Sequence, residues 1–257
     1  MDRMYQSRLR YKINFRGWGM TSAHELPWND EQDWHEFKQA CIHIKNNFDF
    51  GNNSSGIQNY NVDDLMWRNW IISFCTRYAK KLVKTDYHNF VECGVGIGVS
   101  SFLILNEFLY DGNTNIKLHL YDSWGIMQKE SLMDSELEMV GTYSKLDIKT
   151  TKKNLSKFLD YTVFHQGYIP QSLHSKPESP NFVSFLHIDL NSVNATRDAL
   201  DFFYPKLADY GLILFDDYGW IEFSDTRKAI DLFFKDKPGL IMKLPTGQSI
   251  YFHTKKN

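Results

Sequence analysis

Acidic residues close several short apolar runs of this chain. They are Glu92, Asp122, Asp189 and the pair Asp216 and Asp217. The runs are rich in side chains that favour β-strands. In an open parallel sheet, ligands bind at the carboxyl ends of the strands, which lie at one edge. We therefore expect these carboxylates to converge at one rim of a sheet.

Asp189, Asp216 and Asp217 have the chemistry of a divalent cation site. Gathered at one edge, the three carboxylates would repel one another without a cation. Hard carboxylate oxygens suit Mg²⁺, Mn²⁺ or Ca²⁺ better than zinc. In the structural alternative, Asp217 caps the following turn and Asp189 hydrogen-bonds to a neighbour. The pattern favours an oxygen-ligated divalent metal.

A glycine-rich turn follows the first apolar run. Residues 89–101 read N-F-V-E-C-G-V-G-I-G-V-S-S. A dinucleotide fingerprint has G-x-G-x-x-G spacing, whereas E-x-G-x-G-x-G resembles the first motif of class I S-adenosylmethionine (AdoMet) methyltransferases. The resemblance implies that Glu92 lies by the methionine part of the cofactor and that the nucleoside lies over Gly94, Gly96 and Gly98. A helix-packing turn without a ligand is the alternative.

Asp122 is placed to complete the cofactor site. It ends the second apolar run. Its distance along the chain from the glycine turn is close to the spacing of about 20 residues at which an acid accepts hydrogen bonds from ribose hydroxyls. Ser123 beside it, and Gly167 and Tyr168 in the turn after the third run, are also expected to contact the cofactor.

The elements that must position these groups alternate between strand and helix. Strands are predicted around residues 90–91 and at 117–121, 161–166, 182–189, 211–215, 240–244 and 249–253. Helices are predicted at 62–83, 99–110, 194–207 and 226–234. This order predicts an α/β fold with a doubly wound, mostly parallel, seven-stranded Rossmann-like sheet and an N-terminal helical extension.

Composition limits the class of partner. The chain has 257 residues, 42% of them hydrophobic, and a net charge of −2, which supports a large core and gives no electrostatic argument for nucleic acid or a membrane surface. No apolar run approaches the ~18 residues of a membrane span, and the first fifteen residues lack the apolar centre of a secretory signal. We therefore expect a cytoplasmic protein that binds neither nucleic acid nor membrane.

Two segments outside the alternating pattern raise questions of organisation. We expect residues 1–60 to form an N-terminal extension, either an acceptor cover or a dimer contact, and residues 61–257 to form an AdoMet-dependent methyltransferase domain. Residues 123–151, here called the cover segment, are long and charged. Their length is typical of a mobile cover over a site, although an ordinary solvated excursion is the alternative.

The second half of the chain resembles the macrocin O-methyltransferase family. The similar segments read F-L-H-I-D-L-N, Y-P-K-L-A-D-Y-G-L-I-L-F-D-D-Y-G-W and L-P-T-G-Q, within a resemblance that covers about residues 60–253. Members are metal-dependent, AdoMet-using enzymes that methylate sugar hydroxyls. The resemblance implies that Asp189, Asp216 and Asp217 hold Mg²⁺ or Mn²⁺ and that Asp189 is also the general base.

The chain departs from the family's pattern directly after Asp189. The family's I-D-x-D-x-Y is here I-D-L-N-S-V, so Asn191 and Val193 replace an acid and a tyrosine. The resemblance implies a small-molecule sugar acceptor, free or nucleotide-linked, and a homodimer. The alternatives are a catechol or another diol as acceptor, a noncatalytic partner subunit with the AdoMet fold, and a nicotinamide oxidoreductase.

Overall fold

A single sheet of seven strands organises the part of the chain that the structure describes. The structure is a computed structural model and describes residues 26–29, 34–51, 58 and 61–254. The strands are β1 (His88–Cys93), β2 (Ile116–Asp122), β3 (Thr162–Gln166), β4 (Val183–Ile188), β5 (Leu207–Phe215), β6 (Leu240–Lys243) and β7 (Ser249–Phe252). Their order in the sheet is β3-β2-β1-β4-β5-β7-β6.

The strand pairing aligns the ends of the central strands. Neighbours among β1 to β5 pair in parallel, and β7 pairs antiparallel with β5 and β6. Cys93 is in register with both Tyr121 and Ile188, and Ile188 is in register with Phe215. The residues that directly follow these strands therefore lie side by side at the same edge of the sheet. The prediction of a doubly wound, mostly parallel, seven-stranded sheet is confirmed.

Two of the α-helices in the described residues precede β1, and the others lie in the connections β1–β2, β2–β3, β4–β5 and β5–β6. In chain order they are α1 (His35–Asn47), α2 (Met66–Leu82), α3 (Val99–Leu109), α4 (Ile148–Asn154), α5 (Val193–Phe203) and α6 (Ser224–Phe234). In the part of the chain that the structure describes, no helix has the length and apolar character needed to cross a bilayer.

The predicted helix at 194–207 is too long at its carboxyl end. In the structure α5 ends at Phe203, a 3₁₀ turn spans Tyr204–Lys206, and β5 begins at Leu207. Pro205 explains the difference, because proline has no N–H to donate and its ring clashes with the preceding turn of an α-helix. The apolar pattern of the helix runs on into the strand, so periodicity alone does not mark the boundary.

The chain divides into two compact units, Met1–His35 and Glu36–Asn257. Most of α1 belongs to the second unit: Glu36 forms an ion pair with Arg77 at 3.0 Å, and the His43 ring stacks on Phe102 at 4.9 Å between centroids. Most of the first unit and most of residues 51–60 lie outside the described residues. A role of residues 1–60 as acceptor cover or dimer contact stays a prediction.

The backbones that follow β1 and β4 approach each other closely at the centre of the sheet. Gly94 follows β1 at a φ of +87°, and a Cβ atom there would lie 1.7 Å from the carbonyl oxygen of Asp189. The two strand ends are tied by the Asp189 N–H, which donates to the Cys93 carbonyl at 2.8 Å. Only glycine allows this approach.

We expect Gly94→Ala to lower the free energy of unfolding by more than about 4 kcal/mol, because the clash is with backbone rather than with a mobile side chain. Gly112→Ala is the matched control, since Gly112 also has a positive φ, +82°, but nothing lies within 4 Å of its added Cβ. The control should lose about 1–2 kcal/mol. Urea unfolding measures both, and equal losses would contradict the clash.

Candidate active site

The glycine turn begins where β1 ends and leads into α3. Gly94, Gly96 and Gly98 all have positive φ values, of +87°, +56° and +91°. Gly98 is the N-cap of α3, and its added Cβ would lie 3.2 Å from side-chain atoms of Leu155 and Thr151. At Gly96 an added Cβ would meet nothing within 4 Å, so the open face of the turn lies there. A ligand could approach the backbone at this position.

Asp122 holds the glycine turn from the end of β2. Its Oδ2 accepts hydrogen bonds from the N–H groups of Val95 at 2.8 Å and Gly96 at 2.9 Å, and its Oδ1 accepts one from Trp124 at 2.7 Å. Burial raises the pKa of Asp122, although these backbone hydrogen bonds oppose the shift. The Ser123 N–H is a further backbone donor to this carboxylate, so backbone groups already use most of its acceptor capacity. A ribose hydroxyl as an additional donor stays a prediction.

The other predicted cofactor residues border the same turn. Ser123 Oγ accepts a hydrogen bond from the Gly125 N–H at 3.2 Å, and the Gly167 N–H donates to the Asp122 carbonyl at 2.9 Å. The Tyr168 hydroxyl donates to the Ile126 carbonyl at 2.8 Å. The structure therefore brings Ser123 and Gly167 beside Asp122, whereas the Tyr168 hydroxyl bonds to the cover segment. Cofactor contacts by these residues stay predictions.

Trp124 is a residue of this region that the sequence did not reveal. Its indole Nε1 lies 3.2 Å from the Gly96 carbonyl and 2.9 Å from Thr151 Oγ1, and its side chain is buried. The Thr151 hydroxyl itself donates to the Gly96 carbonyl at 2.7 Å. A tryptophan two residues after a strand-end aspartate was the available signal, because a large aromatic ring there is expected to pack on the neighbouring turn.

Glu92 lies inside the protein, below the glycine turn. Its side chain is 1% exposed, accepts a hydrogen bond from the Ser101 hydroxyl and lies 3.1 Å from His187 Nδ1. The predicted contact with the methionine part of the cofactor stays a prediction, since in this structure both carboxylate oxygens have protein partners.

His187 links Glu92 to the carboxylates at the ends of β4 and β5. It is fully buried on β4, and its Nε2 lies 3.8 Å from Asp216 Oδ1. Burial alone would lower the pKa of His187, but Asp216 and Glu92 outweigh it and raise the pKa to about 10. The imidazole is therefore a buried cation between two acids. A histidine inside the apolar run F-V-S-F-L-H-I-D was the signal for it.

The structure brings Asp189, Asp216 and Asp217 together, with one ligand oxygen from each lying within 4.8 Å of the others. Asp189 follows β4 and the other two follow β5, so the parallel register places them side by side. Burial and the charges of its two neighbours raise the pKa of Asp189 well above its usual range. Burial and the charge of Asp216 raise the pKa of Asp217 to about 7.

Arg68 of α2 is the main countercharge to Asp216. Its Nη2 hydrogen-bonds to Asp216 Oδ2 and to the Asp216 carbonyl at 3.1 Å, and its Nη1 donates to the Thr246 carbonyl at 3.0 Å. Gln248 donates from Nε2 to Asp216 Oδ1 at 2.8 Å. Burial would raise the pKa of Asp216, but Arg68 and His187 hold it below its usual range. The helical pattern predicted α2 but gave no sign that Arg68 reaches a site.

The charges of this region balance except at two carboxylates. Glu92 and Asp216 are matched by His187 and Arg68, and Arg68 is 3.8 Å from Asp217 Oδ1. No further cationic side chain in the described part of the chain forms an ion pair with Asp189 or Asp217. This pair needs either a proton or an added cation.

A small cavity lies behind the carboxylates, between the beginnings of α5 and α6. It has a volume of about 10 Å³ and is lined by Asp189, Asn191, Asp217, Tyr218 and Thr226, among others. A space of that size holds about one water molecule.

The fold and the site together define a class of protein. The strand order with an antiparallel β7 between β5 and β6, and a glycine turn held by a strand-end acid, are those of the Rossmann-like AdoMet-dependent methyltransferases. The macrocin-O-methyltransferase (TylF) family profile matches residues 78–244. The chain therefore belongs to this family and is an AdoMet-dependent O-methyltransferase. The predicted enzyme class and family are confirmed.

Solved structures support the fold. The O-methyltransferase NovP has 20% identity and a TM-score of 0.63, over 74% of this chain and 81% of its own. CalS11, a calicheamicin methyltransferase, has 14% identity and a TM-score of 0.56, over 93% and 99%. An O-methyltransferase from Bacillus cereus in complex with SAH has 10% identity and a TM-score of 0.54, over 86% and 91%. Comparison with curated proteins gave no significant match.

We expect Arg68→Met to lower the free energy of unfolding by about 3 kcal/mol in EDTA, because it leaves the largely buried Asp216 without its main countercharge. Lys228→Met is the control, since Lys228 pairs with Asp225 at the surface, at 2.8 Å, and should change stability by less than about 0.5 kcal/mol. Urea unfolding of both variants tests this. A loss at Arg68 no larger than at Lys228 would refute the role given to Arg68.

Proposed function

We propose that this enzyme methylates a hydroxyl group of a sugar and that the reaction requires a divalent cation bound by Asp189, Asp216 and Asp217. The observation that carries the proposal is the convergence of these three carboxylates at the sheet edge that also bears the glycine turn. A cation at that edge could bind the acceptor hydroxyl, and a methyl donor over the turn could transfer its methyl group to the same hydroxyl.

The residues fit a hard divalent ion such as Mg²⁺ or Mn²⁺. All three candidate ligands are carboxylate oxygens, the donors that these ions prefer. Asp189 and Asp217 lack a dedicated cationic partner, so two negative charges remain for an added ion to neutralise. Asp216 is already bonded to Arg68 and Gln248, but each of its oxygens has a second lone pair.

The chain's own residues would divide the work between cofactor and acceptor. When bound, AdoMet supplies an electrophilic methyl group and the divalent ion acidifies an alcohol that it ligates. Asp122 would hold the ribose of the cofactor while keeping the glycine turn in place. Asp189 would take the proton from the acceptor hydroxyl, a role that its raised pKa allows only once an added positive charge offsets Asp216 and Asp217. Holding the reacting atoms in line contributes a large part of such rates.

A sugar is the acceptor that the relatives favour. The family is that of macrocin O-methyltransferases, and CalS11 is described as a TDP-rhamnose 3'-O-methyltransferase. We therefore propose a sugar acceptor carried on a nucleotide. The family resemblance also suggests a place in polysaccharide biosynthesis. We further propose a homodimer, a cytoplasmic location, and a role of residues 1–60 in covering the acceptor or joining the dimer.

A methyl-transfer screen over TDP- and UDP-sugars, with catechol as a non-sugar diol, tests the proposal. We expect at least one sugar nucleotide to be methylated in Mg²⁺ and the rate to fall at least about 100-fold in EDTA, since the cation is needed to acidify the hydroxyl. Titration calorimetry with Mn²⁺ should show binding that Asp189→Asn weakens and the surface variant Asp225→Asn does not. Full activity in EDTA would remove the metal from the proposal, and turnover of catechol alone would replace the sugar.

The two carboxylates Asp189 and Asp122 should respond differently to substitution. Asp189→Asn should lower kcat by about 10²- to 10⁴-fold, the range for loss of a general base, and leave the Kd for S-adenosylhomocysteine unchanged. Asp122→Ala should raise that Kd at least about tenfold, because it removes a charged hydrogen-bond acceptor from the turn. The reverse pattern would overturn the division of roles.

A further inference from the structure

The cover segment is fastened to three consecutive residues that follow Asp189 closely. The Asn191 side-chain amide donates to the Tyr143 hydroxyl at 3.2 Å, and the Ser192 hydroxyl donates to the Ser131 carbonyl at 2.8 Å. The N–H of Val193 donates to a carboxylate oxygen of the cover segment at 2.7 Å. Two of these three positions are those where the chain departs from the family's sequence pattern.

Glu136 supplies the carboxylate in the last of these contacts. It is 5% exposed; Oε1 accepts from Val193, at the first turn of α5, and Oε2 accepts from the Met133 N–H at 2.9 Å. A buried carboxylate at a helix N-terminus is stabilised by the free N–H groups and the dipole of the helix. These contacts hold the middle of the cover segment beside the residues that follow Asp189, and its action as a mobile cover stays a prediction.

Tyr143 is held by this arrangement in an uncommon backbone conformation. Its φ is +59° and that of its partner Asn191 is +51°, both in the left-handed region that non-glycine residues seldom adopt. Such strain persists only where surrounding contacts determine the conformation, and it concentrates at functional sites. Here it sets the Tyr143 ring next to the residues that follow β4.

The Tyr143 hydroxyl retains an unused proton. Its oxygen accepts from Asn191, and within the described ranges no acceptor lies in hydrogen-bonding distance of its own O–H. Burial, followed by the charges of Asp189, Asp217 and Asp122, raises its pKa, so it remains a neutral donor. Those carboxylates belong to both the acceptor side and the cofactor side of the site. Its observed partner, Asn191, lies two residues after Asp189, which places the hydroxyl beside the end of β4.

We propose that the Tyr143 hydroxyl donates a hydrogen bond to an oxygen atom of the acceptor sugar. Tyr143 is then a specificity-determining residue of this enzyme. The inference rests on the proposed sugar O-methyltransferase function. In this inference, a residue of the cover segment makes an acceptor contact in place of the acid and the tyrosine that this chain lacks at positions 191 and 193. Asn191 is a positioning residue that orients the Tyr143 hydroxyl.

Tyr143→Phe keeps the ring and removes only the donor. With the sugar nucleotide that the wild type methylates, or with TDP-rhamnose as the first probe, we expect the acceptor KM to rise about tenfold, the effect of one lost hydrogen bond. A contact made equally in ground and transition states changes KM and leaves kcat within about twofold. The Kd for S-adenosylhomocysteine should not change. Tyr110→Phe is the matched control, since Tyr110 is 64% exposed at the end of α3.

A second variant protects the test against misfolding at residue 143. Asn191→Gly removes the amide that orients Tyr143, and glycine accepts the left-handed φ at that position. We expect a smaller rise in acceptor KM, about threefold, again without a change in S-adenosylhomocysteine binding. An active wild type whose acceptor KM is the same in Tyr143→Phe and Tyr110→Phe would overturn the inference alone. A wild type that neither binds nor methylates any sugar nucleotide would overturn the proposed function and the inference with it.

Discussion

The candidate active site depends on a row of alternating charges, which runs from the buried Glu92 and His187 to the partly buried Asp216 and Arg68. Like charges cannot be gathered inside a protein without compensation, because burial removes the water that would screen them. In this row each acid lies beside a cation, with His187 3.1 Å from Glu92 and 3.8 Å from Asp216. The row crosses from β1 through β4 and β5 to α2, so it also ties the sheet to the helix in front of it.

This compensation has a consequence for the neighbouring acids. Because Asp216 is already neutralised by side chains, Asp189 and Asp217 are the groups that must share a proton or receive an added cation. The charge of Asp216 is therefore balanced by side chains of the protein, whereas the charges of Asp189 and Asp217 are balanced by groups that can exchange with solvent. Gly94 makes this possible in a geometric sense, since its missing side chain lets the end of β1 approach Asp189.

The sequence predicted the parts of this site whose signals are local. An acid directly after an apolar run marks a strand end, and parallel pairing then brings such acids to one edge, as Asp122, Asp189 and Asp216 are observed to lie. The residues that escaped prediction contact the site from a distance along the chain: Arg68 from a helix, and Tyr143 from a segment with no periodic pattern. Their roles depend on which face of each element packs against the sheet edge. The residues next to them in the sequence do not indicate this.

The cover segment supports both the glycine turn and the residues that follow Asp189. It begins next to Asp122, which holds the glycine turn through backbone N–H groups, and it ends at Thr151, whose hydroxyl donates to the Gly96 carbonyl at 2.7 Å. Its middle is bonded to the residues that follow Asp189. The segment is therefore anchored at both ends to the turn and at its centre to the residues between β4 and α5. An enzyme that must hold a donor and an acceptor in line gains from such an arrangement, because one element then fixes the distance between the two halves of its site.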